Sequence, residues 1–176
     1  MDIENLLAQR VNLPEIKSVA SWASGSREKI TMLWNLAQSD DRMTSVNSLW
    51  SMTHLPQKDA EWLVSIRDDM IDMLLTETDT SKKRMLLQLL REQEYRVDEI
   101  RADFLDYCMS KINSECEPCS IRCFSTYAAY KMCRHFPELI SELEHHLGLM
   151  QYQALSPGIR SAQRHIKAKI EKLKKQ

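Results

Sequence analysis

Three stretches decide how this chain folds: Lys83-Arg84-Met85-Leu86-Leu87-Gln88-Leu89-Leu90, Ile121-Arg122-Cys123-Phe124-Ser125-Thr126-Tyr127-Ala128 and Ile159-Arg160-Ser161-Ala162-Gln163-Arg164-His165-Ile166. Their arginines stand 38 residues apart, and each is followed at the second and sixth positions by apolar or small residues: Leu86 and Leu90, Phe124 and Ala128, Ala162 and Ile166. Positions four apart share one face of a helix. Forty residues before Arg84 the arginine is replaced by Thr44, although Val46 and Trp50 keep the following pair. The segments between these stretches superpose as well, with Leu63, Met70 and Leu74 matching Val97, Phe104 and Cys108, and these matching Phe136, Leu143 and Leu147. Two helix types repeating in step, at about forty residues, indicate stacked helix pairs.

Composition agrees. The 176 residues hold 3 glycines and 5 prolines, and five valines against 21 leucines, 12 isoleucines and 10 methionines, which leaves too few turn and strand formers for an all-β fold. At 43% hydrophobic residues the chain can build a core, which excludes disorder. Proline is tolerated in the first turn of a helix and disruptive further in, so Pro14, Pro56, Pro118, Pro137 and Pro157 mark helix starts. The periodicity predicts helices near 26–38, 40–54, 57–75, 80–93, 97–112, 117–135, 138–152 and 156–174, after an N-terminal pair near 2–11 and 14–24. Ser26, Asp40, Thr80 or Ser81, and Ser156 supply start signals. Short connections force neighbouring helices antiparallel. The expectation is one all-α domain over 1–176, with 1–25 as a cap or partial repeat and 26–174 as four helix pairs.

Ile121-Arg122 and Ile159-Arg160, each with a small or apolar residue two positions on, resemble the Val-Arg-x-Ala core of the second helix in HEAT repeats. The resemblance covers about 26–174 and departs from the pattern at Lys83-Arg84 and at Thr44. It implies a right-handed α-α superhelix of the HEAT/armadillo type, four to five stacked antiparallel pairs, whose second helices line a concave docking face. It implies no chemistry.

The formal charge of −1 makes the whole molecule no polycation, but from Ser156 onward Arg160, Arg164, Lys167, Lys169, Lys172, Lys174 and Lys175 face only Glu171, and the remainder sums to −7. The basic stretch reads as the solvated face of a capping helix, or as an electrostatic docking site. The opening residues lack the order of a signal peptide, no apolar run approaches a membrane span, and the five cysteines are odd in number, so reduced thiols and a cytoplasmic setting are expected.

Cys116, Cys119 and Cys123 have metal-like spacing, with Cys108 and Cys133 on flanking helices. Cys119 and Cys123 are one helical turn apart, and no second CxxC or His-x-x-x-His completes a tetrahedral set, so core filling outranks a redox thiol, and that outranks a metal. His145 and His146 point about 100° apart on a helix, and Glu142 with His146 makes only a two-ligand pair, so a solvated polar face is expected. Trp22, Trp34, Trp50 and Trp62 lie on apolar stripes and are expected in the core rather than as a stacking platform. Isolated Gly25, Gly148 and Gly158 cannot form a phosphate loop, and no catalytic motif stands out, so neither cofactor nor catalytic residue is assigned.

The leading functional expectation is a non-catalytic module that binds an unknown protein or peptide through exposed second-helix residues: Arg84, Arg91, Arg122, Tyr130, Arg160 and Arg164. Arginine and tyrosine are the side chains that anchor interfaces. The competing account of the arginines is a structural ladder between repeats. A second function is DNA binding similar to that of the HEAT-like DNA alkylation repair glycosylases, with the arginines tracking phosphates, against which the net charge counts. A thiol or metal site at Cys116, Cys119 and Cys123 is the third.

Overall fold

The computed structural model describes residues 2–176, and among these it is helical throughout, with no strand. Two compact units divide within one helix, the first ending at Leu89 and the second running from Leu90 to Gln176.

The first unit contains α1 (Ile3–Leu7), α2 (Leu13–Ala23), α3 (Arg27–Ala37), α4 (Arg42–Met52), a 3-10 turn (Gln57–Asp59), α5 (Ala60–Ser65), α6 (Arg67–Thr76) and most of α7 (Thr80–Arg91). Polar side chains that accept the free N–H groups of a first turn start the helices. Asn12 caps α2 with Pro14 in its first turn, Ser26 caps α3 and Asp41 caps α4. Asp79 Oδ1 takes the Ser81 and Lys82 N–H groups at the head of α7. Gly25, at φ +80, turns the chain between α2 and α3, and its N–H donates to the buried Asp59 carboxylate at 2.8 Å.

Three expectations change here. The segment near 57–75 is broken at Ile66 into α5 and α6, where the Ser65 hydroxyl donates to the Trp62 carbonyl and competes with the helical ladder. The caps of α4 and α7 fall on Asp41 and Asp79, each one residue from the expected cap. On α4 the inward face is not Val46 and Trp50, both half-buried, but Ser45, Ser48, Leu49 and Met52.

The second unit contains the end of α7, a 3-10 turn (Val97–Glu99), α8 (Ala102–Ile112), α9 (Cys119–Cys133), α10 (Pro137–Leu149), a 3-10 turn (Met150–Tyr152) and α11 (Pro157–Lys174). Its central helix is α9, which packs on α8, α10 and α11. Small buried residues on α9, among them Ser125, Ala128 and Ala129, let the neighbours approach closely. The core is filled from α8 by Phe104, Cys108 and Ile112, from α10 by Ile140, Leu143 and Leu147, and from α11 by Ile159, Ala162, Ile166 and Ile170. Fully burying one such large aliphatic or aromatic side chain contributes roughly 1.5–3 kcal/mol. Val97, expected to begin the inward stripe of α8, is 56% exposed, because that segment opens with a 3-10 turn and the α-helix starts only at Ala102. Every proline stands at or just before the first turn of a helix.

Candidate functional site

The arginine series does not share one fate. Arg122, expected on an exposed face, is buried: its Nε–H donates to the Ile112 carbonyl at 2.9 Å and Nη2 donates to Gln153 Oε1 at 2.5 Å. Gln153 Nε2 in turn donates to the Asn113 carbonyl at 3.0 Å, so the two side chains satisfy the last carbonyls of α8. The positive charge of Arg122 lies at a helix C-terminus, where the macrodipole favours it. In the first unit Ser45 does the corresponding work, its hydroxyl donating to the carbonyl of Ala37, the last residue of α3. Asn47 Nδ2 likewise donates to the carbonyls of Leu7, the last residue of α1, and of Gln9 just beyond it, at 2.8 and 2.9 Å. Arg160 is exposed and Arg84 half-buried. The arginine ladder is therefore formed at Arg122 alone.

The other expected residues of the second unit come together on its second helices, α9 and α11 with the end of α7. The Arg91 guanidinium lies 4.4 Å above the Phe124 ring and 5.4 Å above Tyr127. Tyr127 Oη is 3.3 Å from His165 Nδ1 on α11, and Lys169 Nζ lies 5.7 Å from the Tyr130 ring. A continuous row thus crosses three helices: Arg91, Tyr127, His165, with Lys169 on Tyr130 one turn further. Lys172, two turns on from His165 on the same face of α11, stands exposed and without an ion pair among the described residues, whereas Arg164 points about 100° away from His165, into solvent. Arg160 lies one turn before Arg164 on α11. Arg84 belongs to the first unit and takes no part.

Tyr127 and His165 were not expected, although a signal existed: they stand 38 residues apart, the interval that links the arginines. The same interval recurs among the polar contacts. Lys131 reaches the Gln93 carbonyl, Arg134 the Glu94 carboxylate and His135 the Tyr95 carbonyl, each from 38 or 40 positions on.

Charge is segregated by helix type. No acidic residue lies on α9, and α11 has only Glu171, whereas α8 has Asp103 and Asp106 and α10 has Glu138, Glu142 and Glu144. Of the basic residues on α11, Lys174 is drawn off to Glu144 at 2.6 Å. At the end of α9, Glu94 receives Lys131 at 3.0 Å and Arg134 at 2.7 Å; burial pushes its carboxyl up, but these two cations more than offset that and hold it below the usual carboxylate value.

The cysteines divide by burial. Cys119 and Cys123 approach to 3.7 Å at the start of α9, with the Ser156 hydroxyl donating to Cys119 Sγ at 3.2 Å, but Cys116 is not part of the group. Among the described residues no three His, Cys, Asp or Glu side chains are grouped to hold a metal ion. Burial, and then the Cys119 thiol, push the Cys123 thiol up to about 12; burial, and then the Glu142 carboxylate, do the same for Cys133. His146 is occupied by Asn113, whose Nδ2 donates to the His146 carbonyl at 3.0 Å. Trp34 is buried, while Trp22, Trp50 and Trp62 are half-buried, Trp22 under Lys29 and Trp62 under Arg27.

A family model of the HEAT repeat domain matches residues 3–170. The chain belongs to the HEAT repeat family. No curated protein and no solved structure matches it. The stretches whose arginines resemble the second-helix core of the repeat lie on α7, α9 and α11, and of these arginines Arg122 is the buried one. The N-terminal helices, from Ile3, lie within the matched range, so the HEAT region begins before the 26–174 span on which the sequence resemblance rests. No helix of the described residues is long and apolar enough to cross a membrane.

Proposed function

We propose that this HEAT chain is a non-catalytic docking module that binds a protein or peptide along the second helices of its second unit. The observation that carries the reading is the row Arg91, Tyr127, His165, held by contacts between side chains of three helices and flanked by Lys169 and unpaired Lys172. Rigid aromatic and guanidinium groups fixed before binding lose little conformational freedom when a partner arrives. Second helices are also the surfaces that HEAT-type solenoids turn toward their partners. A cytoplasmic setting, with its thiols reduced, belongs to the same reading. Panning the intact protein against an unbiased peptide-display library tests it. Selected peptides should lose affinity roughly tenfold for Arg91→Ala, whose contacts lie on that row. Peptides indifferent to Arg91→Ala and to Lys169→Ala, or no selected peptides at all, would refute the docking face.

A further inference from the structure

We infer that the occupant of this face is an acidic peptide segment, one that presents two or more carboxylates to α11 and to the end of α7; the inference rests on the docking reading above. The first ground is charge complementarity. On α11 Lys169 and Lys172 share the His165 side, turned toward α9, which has no acid, while carboxylates are confined largely to α8, α10 and the loops, so this side is positive although the molecule as a whole carries −1. Long-range charge of that kind steers an acidic partner to one face and away from the other.

The second ground is that the cations on this face are unspent. Lys131 and Arg134 are engaged by Glu94, and Lys174 by Glu144, but Lys169 and Lys172, on the His165 face of α11, have no ion pair among the described residues. Arg91 is held flat by its rings, and its nearest carboxylate is the solvent-exposed Glu92 at 3.1 Å, a contact that an incoming carboxylate can replace. A planar guanidinium fixed in this way offers parallel N–H donors that match a carboxylate.

The third ground separates a peptide from a nucleic acid. Strand binding without sequence preference stacks bases on open aromatic faces. Here Arg91 lies over Tyr127 and Lys169 over Tyr130, so these two half-buried rings position cations rather than stand open on both faces for a base.

Fluorescence anisotropy with a labelled glutamate-rich peptide on the full chain tests this. Wild-type protein should bind the peptide at low ionic strength, and Lys169→Glu/Lys172→Glu should weaken binding roughly tenfold or more. The neutral pair Lys169→Gln/Lys172→Gln should give a smaller loss, which guards against a folding defect in the reversed variant. Arg10→Glu/Lys17→Glu, with equal charge change on the first unit, should stay within about twofold. Equal weakening by that control would overturn the inference, since net charge alone would then explain binding. A single-stranded oligonucleotide of matched charge binding more tightly, with the same dependence on Lys169 and Lys172, would overturn it in favour of nucleic acid. Library peptides that need Arg91 but lack carboxylates would leave the docking face standing and remove the acidic partner. An empty library selection removes the docking face itself.

Discussion

Arg122 and Arg160 share a sequence register and differ in burial, and that difference sets their roles. Arg122 is buried on the inward side of α9 with donors on two acceptors, so Arg122→Ala leaves the carbonyl of Ile112 and the side chain of Gln153 without their partner. The expected loss is about 3 kcal/mol in urea unfolding, while Arg160→Ala, at an exposed position, should stay within roughly 0.5 kcal/mol. A small loss for Arg122→Ala would contradict its structural role. The thiols make a second comparison at this scale. Cys116 and Cys119 are exposed, whereas burial lifts Cys108 far above the ordinary thiol range and Cys133 up to about 12. Since the thiolate is the reactive form, alkylation of the folded protein at neutral pH should mark Cys116 and Cys119 first and leave Cys108 and Cys133 until unfolding, as peptide mapping would read. The arginine spacing was legible in the sequence, but the burial of one member was not. Burial depends on the loop through Gln153, which brings an acceptor from 31 residues away.

Helix ends were the most legible elements, and they were misread where two candidate caps adjoin. Ser26 and Ser156 stand alone and cap as expected; Asp40 and Asp41, or Asp79 and Thr80, offer a choice that only backbone geometry decides. The break at Ile66 and the 3-10 opening before α8 were hidden for a related reason, since apolar spacing continues through both. The caps give a pH prediction. Burial pushes the Asp79 carboxyl up, but the Lys82 N–H, the Arg42 guanidinium at 2.6 Å and the Ser81 N–H together hold it below the usual value. Hydrogen bonds from the Thr44 side chain and backbone hold the Asp41 carboxyl down in the same way. Folded carboxyls with lowered values bind protons less readily than the unfolded chain. Their contribution is complete above roughly pH 4 and is lost as the pH falls through the folded values. The urea midpoint should therefore drop below about pH 4 in the wild type and drop less in Asp79→Asn, which should itself cost about 1 kcal/mol at neutral pH. An Asp79→Asn profile parallel to that of the wild type would contradict this.

For the whole molecule, a scarcity of glycine and proline excluded β structure and a forty-residue period gave the repeat, and both hold in the all-helical HEAT chain. What the sequence hid is which residues of the period face outward, because the same register carries a buried Arg122 and an exposed Arg160. The basic tail gains a context that composition could not supply: it lies beside α9, a helix without acids, and shares Tyr127 and Tyr130 with it through His165 and Lys169. If that face docks an acidic segment, affinity should fall steeply with added salt while thermal stability changes little. The most direct measurement is chemical-shift mapping of a selected peptide on the intact, isotope-labelled protein. The account predicts perturbations on Arg91, on α9 around Tyr127 and Tyr130, and on α11 from His165 to Lys172. Perturbations centred on α8 and α10, or on the residues before Leu89, would contradict it.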